Sequence, residues 1–283
     1  MINNNYEKAK TLIHDSDGFV IGAGSGLSAA GGLNYIDKNV FNKYYSNFKK
    51  FGFKTIWDGV SNFWECTKEN CLQYWAFWAT HINNIAYEAK VTKPYQKLYE
   101  FFKDKNYFVV TTNVDYQFYK ASFDPDKIFA MQGQYRYFQC SVPCHNKVYY
   151  NYEMIQQMLK NIDYKTMTIR ESDIPKCPKC GKMLIPNLRK DDLFVEEPNM
   201  INLPKYQDFL NQNKDKKLVF IELGIGFNSP GAIRIPFERL VGTNKNWMLI
   251  RVNKNDPELY YNIPNKAVII QDDINHALDE ILQ

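Results

Sequence analysis

The sequence lacks an extended basic run, a long apolar run and an excess of either charge. Its 35 basic residues are nearly matched by 31 acidic ones, for a net charge of +4, so charge alone does not predict a nucleic-acid partner. The longest apolar stretches are short, such as Phe19 to Ala23, and Met1 to Asn5 lack the basic and apolar regions of a signal peptide. We therefore expect a soluble, cytoplasmic protein with no membrane or nucleic-acid partner.

The chain also lacks internal repeats and low-complexity segments. Apolar residues make up 45% and charged residues 23%, which excludes wholesale disorder, collagen and coiled coil. At 283 residues, folding can bury about three quarters of the unfolded surface, so a disulfide scaffold is not needed. Aromatic residues are abundant, at 20 Tyr, 19 Phe and 5 Trp, and they predict a ring-rich core and ring-rich clefts.

Apolar strand candidates alternate with helical candidates along the chain. Strands are predicted at residues 18–23, 107–111, 127–131, 218–223, 247–252 and 267–270, and helices at 6–14, 95–103, 152–159, 203–210, 236–240 and 274–282. The alternation predicts an α/β fold with a parallel, doubly wound sheet. We assign that sheet to residues 1–36, 92–135 and 200–283, and a smaller lobe to two inserts, an aromatic helical one at 37–91 and a cysteine-bearing one at 136–199.

A glycine-rich turn follows the first predicted strand. It reads Gly22-Ala23-Gly24-Ser25-Gly26-Leu27 and continues to Gly31-Gly32. A turn of this kind between a strand and a helix suits a nucleotide pyrophosphate, because small residues let backbone N–H groups approach the anion. The acidic residue expected about 20 positions later in the usual dinucleotide motif is missing, so a purely structural turn is the alternative.

Four of the six cysteines form two closely spaced pairs, Cys140-x-x-x-Cys144 and Cys177-x-x-Cys180. This pattern predicts one tetrahedral zinc ion held by four thiolates. Because no coordination position is left open, the zinc is expected to be structural. His145, next to Cys144, is an alternative ligand.

The remaining cysteines, Cys66 and Cys71, are five positions apart in the aromatic segment that we predict to be helical. Side chains five positions apart do not share one face of a helix. We therefore interpret both thiols as packing residues.

Polar side chains follow two of the predicted strands. Thr111-Thr112-Asn113-Val114-Asp115 ends one apolar strand, at the carboxyl edge where doubly wound sheets bind ligands. Asn113 and Asp115 could hold a ribose there, or they could cap the following helix. Gln132, in Met131-Gln132-Gly133-Gln134, follows another strand and offers hydrogen bonds without a titratable proton.

Taken in order, these motifs resemble the sirtuins. The resemblance rests on Gly22-Ala23-Gly24, Thr112-Asn113-Val114-Asp115, Gln132-Gly133, the cysteine quartet, Pro186-Asn187-Leu188-Arg189, Leu223-Gly224 and Val252-Asn253. It spans nearly the whole chain and implies a Rossmann-like NAD-binding domain with a smaller lobe, made of a helical module and a zinc-binding module. Together with Gln132, the strings at 26–35 and 224–231 resemble the macrodomain-linked, class M branch, which is associated with protein ADP-ribosylation.

Two positions depart from the pattern of sirtuin deacylases. The family has His where Gln132 stands, and its Gly-Ile-Pro-Asp-Phe-Arg stretch corresponds to Gly32-Leu33-Asn34-Tyr35-Ile36-Asp37, without the Arg. In the family that His acts as a general base on a ribose hydroxyl after NAD has lost nicotinamide. Gln cannot take a proton, and a positioned base is typically worth about 10²- to 10⁴-fold. We therefore expect little or no deacylase activity but retained cleavage of the glycosidic bond.

The resemblance also implies roles for individual residues. Asn113 would orient the ribose or a water near the reacting carbon, Asp115 would order the nicotinamide pocket, and Gln132 would bond the ribose hydroxyls. Arg189 is a fourth catalytic candidate, expected to contact the acceptor, with a solvated surface charge as the alternative. The implied cofactor-binding residues are Gly22, Ala23, Gly24, Gly26, Leu27, Asn34, Gln132, Gly224, Gly226, Asn228, Asn253 and Asp273.

The implied function is that of an NAD-dependent protein mono-ADP-ribosyltransferase. Within this branch the resemblance implies a lipoylated, glycine-cleavage-H-like carrier protein as acceptor and a macrodomain hydrolase that reverses the mark. Three alternatives stay open: an NAD glycohydrolase, a non-catalytic module that binds NAD or ADP-ribose, and an ordinary deacylase.

Overall fold

The computed structural model describes residues 2–227 and 230–283. The strands in these ranges are β1 (Gly18–Ala23), β2 (Tyr107–Thr111), β3 (Ile128–Ala130), β4 (Gly133–Cys140), β5 (Val148–Tyr150), β6 (Leu184–Leu188), β7 (Leu218–Leu223), β8 (Met248–Val252) and β9 (Ala267–Ile270). The α-helices are α1 (Ile2–His14), α2 (Ser25–Ala30), α3 (Lys38–Tyr44), α4 (Ile56–Asn62), α5 (Cys71–Ile82), α6 (Lys93–Phe102), α7 (Gln117–Lys120), α8 (Tyr152–Lys160), α9 (Leu203–Gln212), α10 (Arg234–Thr243) and α11 (Ile274–Ile281). None of the helices in the described ranges is long and apolar enough to cross a membrane.

Six parallel strands form the main sheet, in the order β3-β2-β1-β7-β8-β9. The chain moves outward from β1 to β3 and then continues on the other side of β1 with β7 to β9. This reversal opens a crevice between the carboxyl ends of β1 and β7, where doubly wound sheets bind ligands. The predicted parallel, doubly wound α/β sheet is confirmed.

Both faces of this sheet are covered by helices. Along β1, Phe19, Ile21 and Ala23 belong to one hydrophobic cluster and Val20 to another, as the two-residue period of a strand requires. Helices α1, α6 and α11 pack on the first face, and α9 and α10 pack on the second. Burial on both faces is the reason that these strands are continuously apolar in sequence.

A further hydrophobic cluster joins the aromatic segment to the cysteine-bearing segment. Helix α5 contributes Trp75 and Phe77, while β4 and α8 contribute Phe138 and Ile155. The rings of Trp75 and Phe138 pack edge to face with centroids 5.2 Å apart. The two inserts therefore share one core, and the residue boundaries given for the domains stay predictions.

The cysteine-bearing segment holds more regular structure than its sequence indicates. Strand β4 pairs antiparallel with both β5 and β6 in a three-stranded sheet. Strand β5 has three residues, β6 contains Pro186, and the β4–β6 register shifts between Gly133 and Phe138. Strands this short and irregular give little alternation in sequence. The aromatic segment contains α3 and α4 and then α5, which continues directly into a π-helical turn at Asn83–Glu88.

A buried set of charged side chains connects β7, β8 and α10. Glu222 pairs with Arg234 and Arg251, and Arg251 also pairs with Glu238 at 2.7 Å. Burial raises the pKa of Glu222, and the two guanidinium groups oppose that rise. Both arginines also donate to backbone carbonyls at 256–258, so the network fixes the loop after β8 at the same edge of the sheet as the crevice.

Candidate functional site

Two tight turns meet at the crevice between β1 and β7. The Gly26 N–H donates to the carbonyl oxygen of Gly224 over 2.9 Å. A Cβ on Gly26 would lie 2.7 Å from the Cα of Gly224, and a Cβ on Gly224 would lie 2.6 Å from the Cα of Gly26. Gly224 also has a φ of +61°, which favours glycine. Helix α2 starts at this contact, so its first N–H groups lie at the ligand-binding edge of the sheet.

The other predicted residues of the first turn have packing roles. A Cβ on Gly22 would lie 2.4 Å from the Phe237 ring, so glycine there lets α10 pack against β1. Leu27 is fully buried in the core. The carbonyl of Ala23 accepts a hydrogen bond from the Thr111 hydroxyl at 3.1 Å. Cofactor contacts of Gly22, Ala23 and Leu27 stay predictions.

The polar loop after β2 is anchored to the glycine turn. The Asn113 side-chain amide donates to the Gly24 carbonyl oxygen and to the Tyr95 hydroxyl oxygen, both over 2.9 Å. The Ser28 hydroxyl donates to the Asp115 carboxylate and lies 3.0 Å from the Tyr95 hydroxyl. The structure therefore brings the predicted residues Asn113 and Asp115 into one network with side chains of α2 and α6.

Asp115 is buried with both carboxylate oxygens bonded. Its second oxygen accepts the backbone N–H of Gln117, the first residue of α7, over 3.0 Å, but the N-cap position of that helix is Tyr116 rather than Asp115. Burial raises the pKa of Asp115, and the bonds from Ser28 and Gln117 oppose that rise. These bonds hold the loop rigidly at the end of β2.

Gln132 lies alongside that loop. On one side of it, the Met131 N–H donates to the Thr111 carbonyl over 3.2 Å, and on the other the Tyr135 N–H donates to the Val114 carbonyl over 3.0 Å. These two bonds hold the segment that contains Gln132 beside residues 112–113. The candidate pocket residues after β2 and β3 are thus neighbours in space.

Arg189 lies beside Gln132. Its N–H donates to the Gln132 carbonyl over 3.1 Å, and its Nε donates to the Met131 carbonyl over 3.3 Å. The guanidinium also pairs with the Glu196 carboxylate and lies 4.6 Å from the Phe194 ring centroid. Arg189 is therefore a partly exposed but positioned cation, rather than a freely solvated charge.

Three further predicted residues use their side chains within loops or caps. The Asn253 amide donates to the Ile225 carbonyl over 2.8 Å, which connects the ends of β8 and β7. The Asn34 side chain accepts the Ile36 N–H over 3.1 Å. Asp273 caps α11 by accepting two backbone N–H groups, so its carboxylate is already bonded at the helix start.

The last two predicted cofactor-binding residues to consider are Gly226 and Asn228. A Cβ on Gly226 would approach only the Asp256 carboxylate, at 3.2 Å, so this position is comparatively open. Asn228 lies outside the described residues. Contacts of Asn34, Gly226, Asn228, Asn253 and Asp273 with a cofactor stay predictions.

A buried hydrogen-bond chain, which no sequence pattern predicted, runs from the helical segment to Tyr135, whose N–H bonds the loop after β2. The Tyr45 hydroxyl lies 2.9 Å from His81 Nδ1, His81 Nε2 lies 3.0 Å from the Tyr135 hydroxyl, and that hydroxyl lies 2.9 Å from the Tyr35 hydroxyl. Burial lowers the pKa of His81 to about 3, so the imidazole is neutral at physiological pH. No spacing rule joins these positions in sequence, and the same holds for Tyr95.

The four predicted zinc ligands come together between the end of β4 and the loop before β6. Their sulfur atoms all lie within 4.8 Å of one another, with Cys140 and Cys180 3.5 Å apart and Cys144 and Cys177 3.7 Å apart. Zinc–sulfur bonds of about 2.3 Å place tetrahedral ligands about 3.8 Å apart. The donor set therefore fits one structural zinc, as predicted.

His145 lies next to this cluster without completing it. Its Nε2 is 2.7 Å from the Tyr149 hydroxyl and 3.5 Å from the Cys177 sulfur. Because the four sulfurs already have the spacing of a full tetrahedron, the structure favours the cysteine set over the alternative that includes His145.

The prediction that Cys66 and Cys71 both lie in a helix is wrong. Cys66 is in the loop between α4 and α5, and only Cys71 is helical, as the first residue of α5. The loop turns the two thiols toward each other, with their sulfurs 2.7 Å apart. Both side chains still pack against the core of the smaller lobe, in agreement with the predicted packing role.

Comparison with solved structures identifies the fold. A Sir2 homologue in complex with NAD matches 98% of this chain and 92% of its own length, with a TM-score of 0.56 and 16% identity. The chain therefore has the Sir2 fold, with the Rossmann-like sheet and the smaller lobe expected from the motifs. No family model matches the chain.

Two proteins are similar to this chain in sequence over most of its length. A Staphylococcus aureus protein named "Protein ADP-ribosyltransferase" is 29% identical over 279 residues, which are 98% of this chain and 87% of that protein. A Fusarium oxysporum f. sp. cubense protein named "Probable bifunctional ADP-ribose hydrolase/ADP-ribosyltransferase" is 28% identical over 240 residues, 82% of this chain but only 39% of that protein. The chain thus has the Sir2 fold and is similar over nearly its whole length to a protein named as an ADP-ribosyltransferase. The resemblance to a sirtuin-type ADP-ribosyltransferase is confirmed, and the macrodomain-linked branch stays a prediction.

Proposed function

We propose that this protein is an NAD-dependent protein mono-ADP-ribosyltransferase. In the reaction, the bond between the ribose carbon and the nicotinamide nitrogen breaks and nicotinamide leaves with the bonding electrons. A nucleophile of the protein acceptor forms the new bond to that carbon and releases its proton. The observation that carries the proposal is the placement of Gln132 beside the Asn113 and Asp115 network.

Gln132 stands where the resemblance places the general base of deacylases. An amide can donate and accept hydrogen bonds but cannot remove a proton at physiological pH. Loss of a positioned base typically costs about 10²- to 10⁴-fold in rate, and this cost falls on the deacylation steps that need the base. Departure of nicotinamide depends instead on holding the ribose, a task that hydrogen bonds can perform.

The proposed roles follow the resemblance and are supported by the proximity of the loops that carry these residues. Asn113 orients the ribose, and Asp115 fixes the nicotinamide side of the pocket through the bonds that order its loop. Gln132 bonds the ribose hydroxyls in place of a His. Arg189, at the exposed end of this group, receives the acceptor.

The cofactor-binding side of the proposal rests on the meeting of the two glycine turns. The small residues Gly24 and Gly26 let the backbone at the start of α2 approach a pyrophosphate, and the partial positive charge of a helix N-terminus favours such an anion. The loops that hold Gly224 and Asn253 lie across the crevice and suit the ribose and adenine side.

We further propose a lipoylated carrier protein as acceptor and a macrodomain hydrolase that removes the modification. The support for the hydrolase is that one relative carries both activities in its name, although this chain spans only 39% of that relative. The support for a carrier protein is the resemblance to the macrodomain-linked branch. We also propose that the protein is located in the cytoplasm.

The test uses NAD labelled in its adenosine half, the purified protein, and candidate carrier proteins with and without lipoylation. We expect label on a specific acceptor, loss of that label with Asn113→Ala, and retention with Asn211→Ala, which alters an exposed residue of α9. Label found only as free ADP-ribose would favour a glycohydrolase. If NAD stays intact with every acceptor, the result would favour a module that binds NAD without cleaving it.

A second variant separates transfer from deacylation. In Gln132→His, a gain of acyl-ADP-ribose formation from an acylated peptide would show that the base was the missing element. Continued absence of deacylation would mean that the pocket differs in more than this residue. High deacylase activity of the unaltered protein would contradict the proposed role of Gln132.

A further inference from the structure

Cys66 and Cys71 are held closer together than any zinc-ligand pair described above. Their sulfurs are 2.7 Å apart, whereas the quartet pairs are 3.5 and 3.7 Å apart. Two sulfurs on one tetrahedral metal ion need the longer spacing of about 3.8 Å. A disulfide needs about 2 Å between its sulfurs, so a small approach joins this pair.

The two thiols are also accessible to a reagent. Both side chains are half-buried, and the Met183 thioether packs behind them, 3.7 Å from the Cys66 sulfur and 3.8 Å from the Cys71 sulfur. The loop that carries Cys66 lies at the surface between α4 and α5. Neither thiol belongs to the zinc cluster.

Cys71 is the more reactive member of the pair. It is the first residue of α5, where the N-terminal N–H groups of a helix favour a thiolate. The Cys66 S–H donates to the Cys71 sulfur, and this bond lowers the pKa of Cys71. The thiolate rather than the thiol attacks a disulfide, so Cys71 begins the exchange and Cys66 completes it.

The loop that carries Cys66 also contacts the segment beside the pocket. Lys190 Nζ donates to the Trp64 carbonyl over 3.3 Å and pairs with the Glu65 carboxylate at 2.8 Å. Lys190 directly follows Arg189. A covalent change at Cys66 therefore occurs next to a loop that holds the Arg189 segment in place.

We propose that Cys66 and Cys71 are a reversible modification site, at which a low-molecular-weight disulfide oxidises the two thiols to an intramolecular disulfide. The Cys71 thiolate attacks one sulfur of the reagent, forms a mixed disulfide and releases one reagent thiolate. Cys66 then loses its proton, and its thiolate displaces the second reagent thiolate. The protein loses two hydrogens and two electrons, and the reagent is reduced to two thiols.

The sequence supplies a direct readout, because Lys68 lies between the two cysteines. The zinc-loaded protein is treated with oxidised glutathione, its free thiols are alkylated, and it is digested with trypsin without reductant. We expect peptides 55–68 and 69–90 to appear as one species lighter by two hydrogens than their sum. Dithiothreitol should restore two separate peptides with alkylatable thiols.

Matched variants decide the interpretation. Cys66→Ser, which keeps the size of the side chain, should abolish the linked species while leaving the zinc content and melting temperature near those of the unaltered protein. Persistence of fully alkylatable Cys66 and Cys71 after oxidation would overturn the proposal. Oxidation of the zinc cysteines before Cys66 and Cys71 would also overturn it. The same holds for a second bound metal ion that is lost in Cys66→Ser.

Discussion

The backbone N–H of Arg189 donates a hydrogen bond to the carbonyl oxygen of Gln132 over 3.1 Å. This bond joins the end of β6 in the smaller lobe to the loop after β3 in the main sheet. It brings a cation from one lobe next to a neutral amide from the other. The place where the two lobes meet is therefore also the place where the proposed ribose and acceptor positions meet.

Replacing Arg189 should affect acceptor modification more than folding. In Arg189→Ala we expect transfer to protein to fall by about tenfold or more, since a charged hydrogen bond is worth about 1.5–3 kcal/mol. The exposed pair with Glu196 should contribute less than about 1 kcal/mol to stability. Transfer rates, NAD affinity and melting temperature are measured, with Lys216→Ala, which removes an exposed cation before β7, as the control. Equal losses in both variants would contradict a specific role.

Gly26 should tolerate no side chain. A Cβ there would lie 2.7 Å from the Gly224 Cα, so Gly26→Ala must push apart the turns that follow β1 and β7. Overpacking of this kind costs about 1–3 kcal/mol, and NAD binding should be lost with it. The control is Gly242→Ala in α10, away from the crevice. Calorimetric titration with NAD and thermal melting test the prediction, and normal NAD binding by Gly26→Ala would contradict it.

Asp115→Asn should separate function from stability. Burial raises the pKa of Asp115, so the folded state favours the protonated acid, and stability falls as pH rises from the unfolded-state pKa through the higher folded-state pKa. A neutral amide avoids this loss, since its oxygen can accept the Gln117 N–H while its NH₂ group donates to the Ser28 hydroxyl oxygen. We expect a melting temperature at neutral pH equal to or above that of the unaltered protein, with transfer activity strongly reduced. Full activity in this variant would show that the carboxylate is dispensable.

His81 should make the protein sensitive to acid. Its pKa is lowered by burial to about 3, below the unfolded value near 6.5. The unfolded state therefore binds more protons between these values, and stability is lost as pH falls through this window, by up to about 1.4 kcal/mol per pH unit. Urea unfolding at several pH values should show a shallower loss in His81→Gln. The exposed His14→Gln should behave like the unaltered protein, and an unchanged slope in His81→Gln would contradict the account.

Zinc should be needed for the smaller lobe to fold. Structural zinc supplies about 10 kcal/mol or more of binding free energy in small zinc modules, which exceeds any single side-chain contact. Cys177→Ser should therefore lose bound zinc and melt at a lower temperature, while Cys71→Ser and His145→Ala should keep it. Metal content by mass spectrometry checks this. Zinc loss in His145→Ala would show that the imidazole is a ligand.

Apolar runs and residue spacing made the sheet and the zinc cluster predictable. Strands such as Gly18–Ala23 are buried on both faces, and the quartet carries its own spacing signal. The position of Asn113 followed from its place at a strand end. These features depend on local sequence and on one topological rule.

Contacts made by tertiary packing could not be predicted in the same way. The Tyr95 hydroxyl reaches Asn113 because α6 packs beside the end of β2, and nothing in the local sequence of either marks the contact. The chain from Tyr45 through His81 to Tyr35 likewise joins separate elements. Cys66 was misplaced because the break between α4 and α5 carries weak periodicity.

The most direct test of transfer is the stoichiometry of its two products. Purified protein and NAD are incubated with the acceptor that the labelling experiment identifies, and free nicotinamide and the intact mass of the acceptor are followed together. The account predicts one nicotinamide released for each ADP-ribosyl group gained by the acceptor. In Asn113→Ala, nicotinamide release and acceptor modification should fall by the same factor. Nicotinamide released without a mass gain on any protein would contradict the account and indicate hydrolysis of NAD instead.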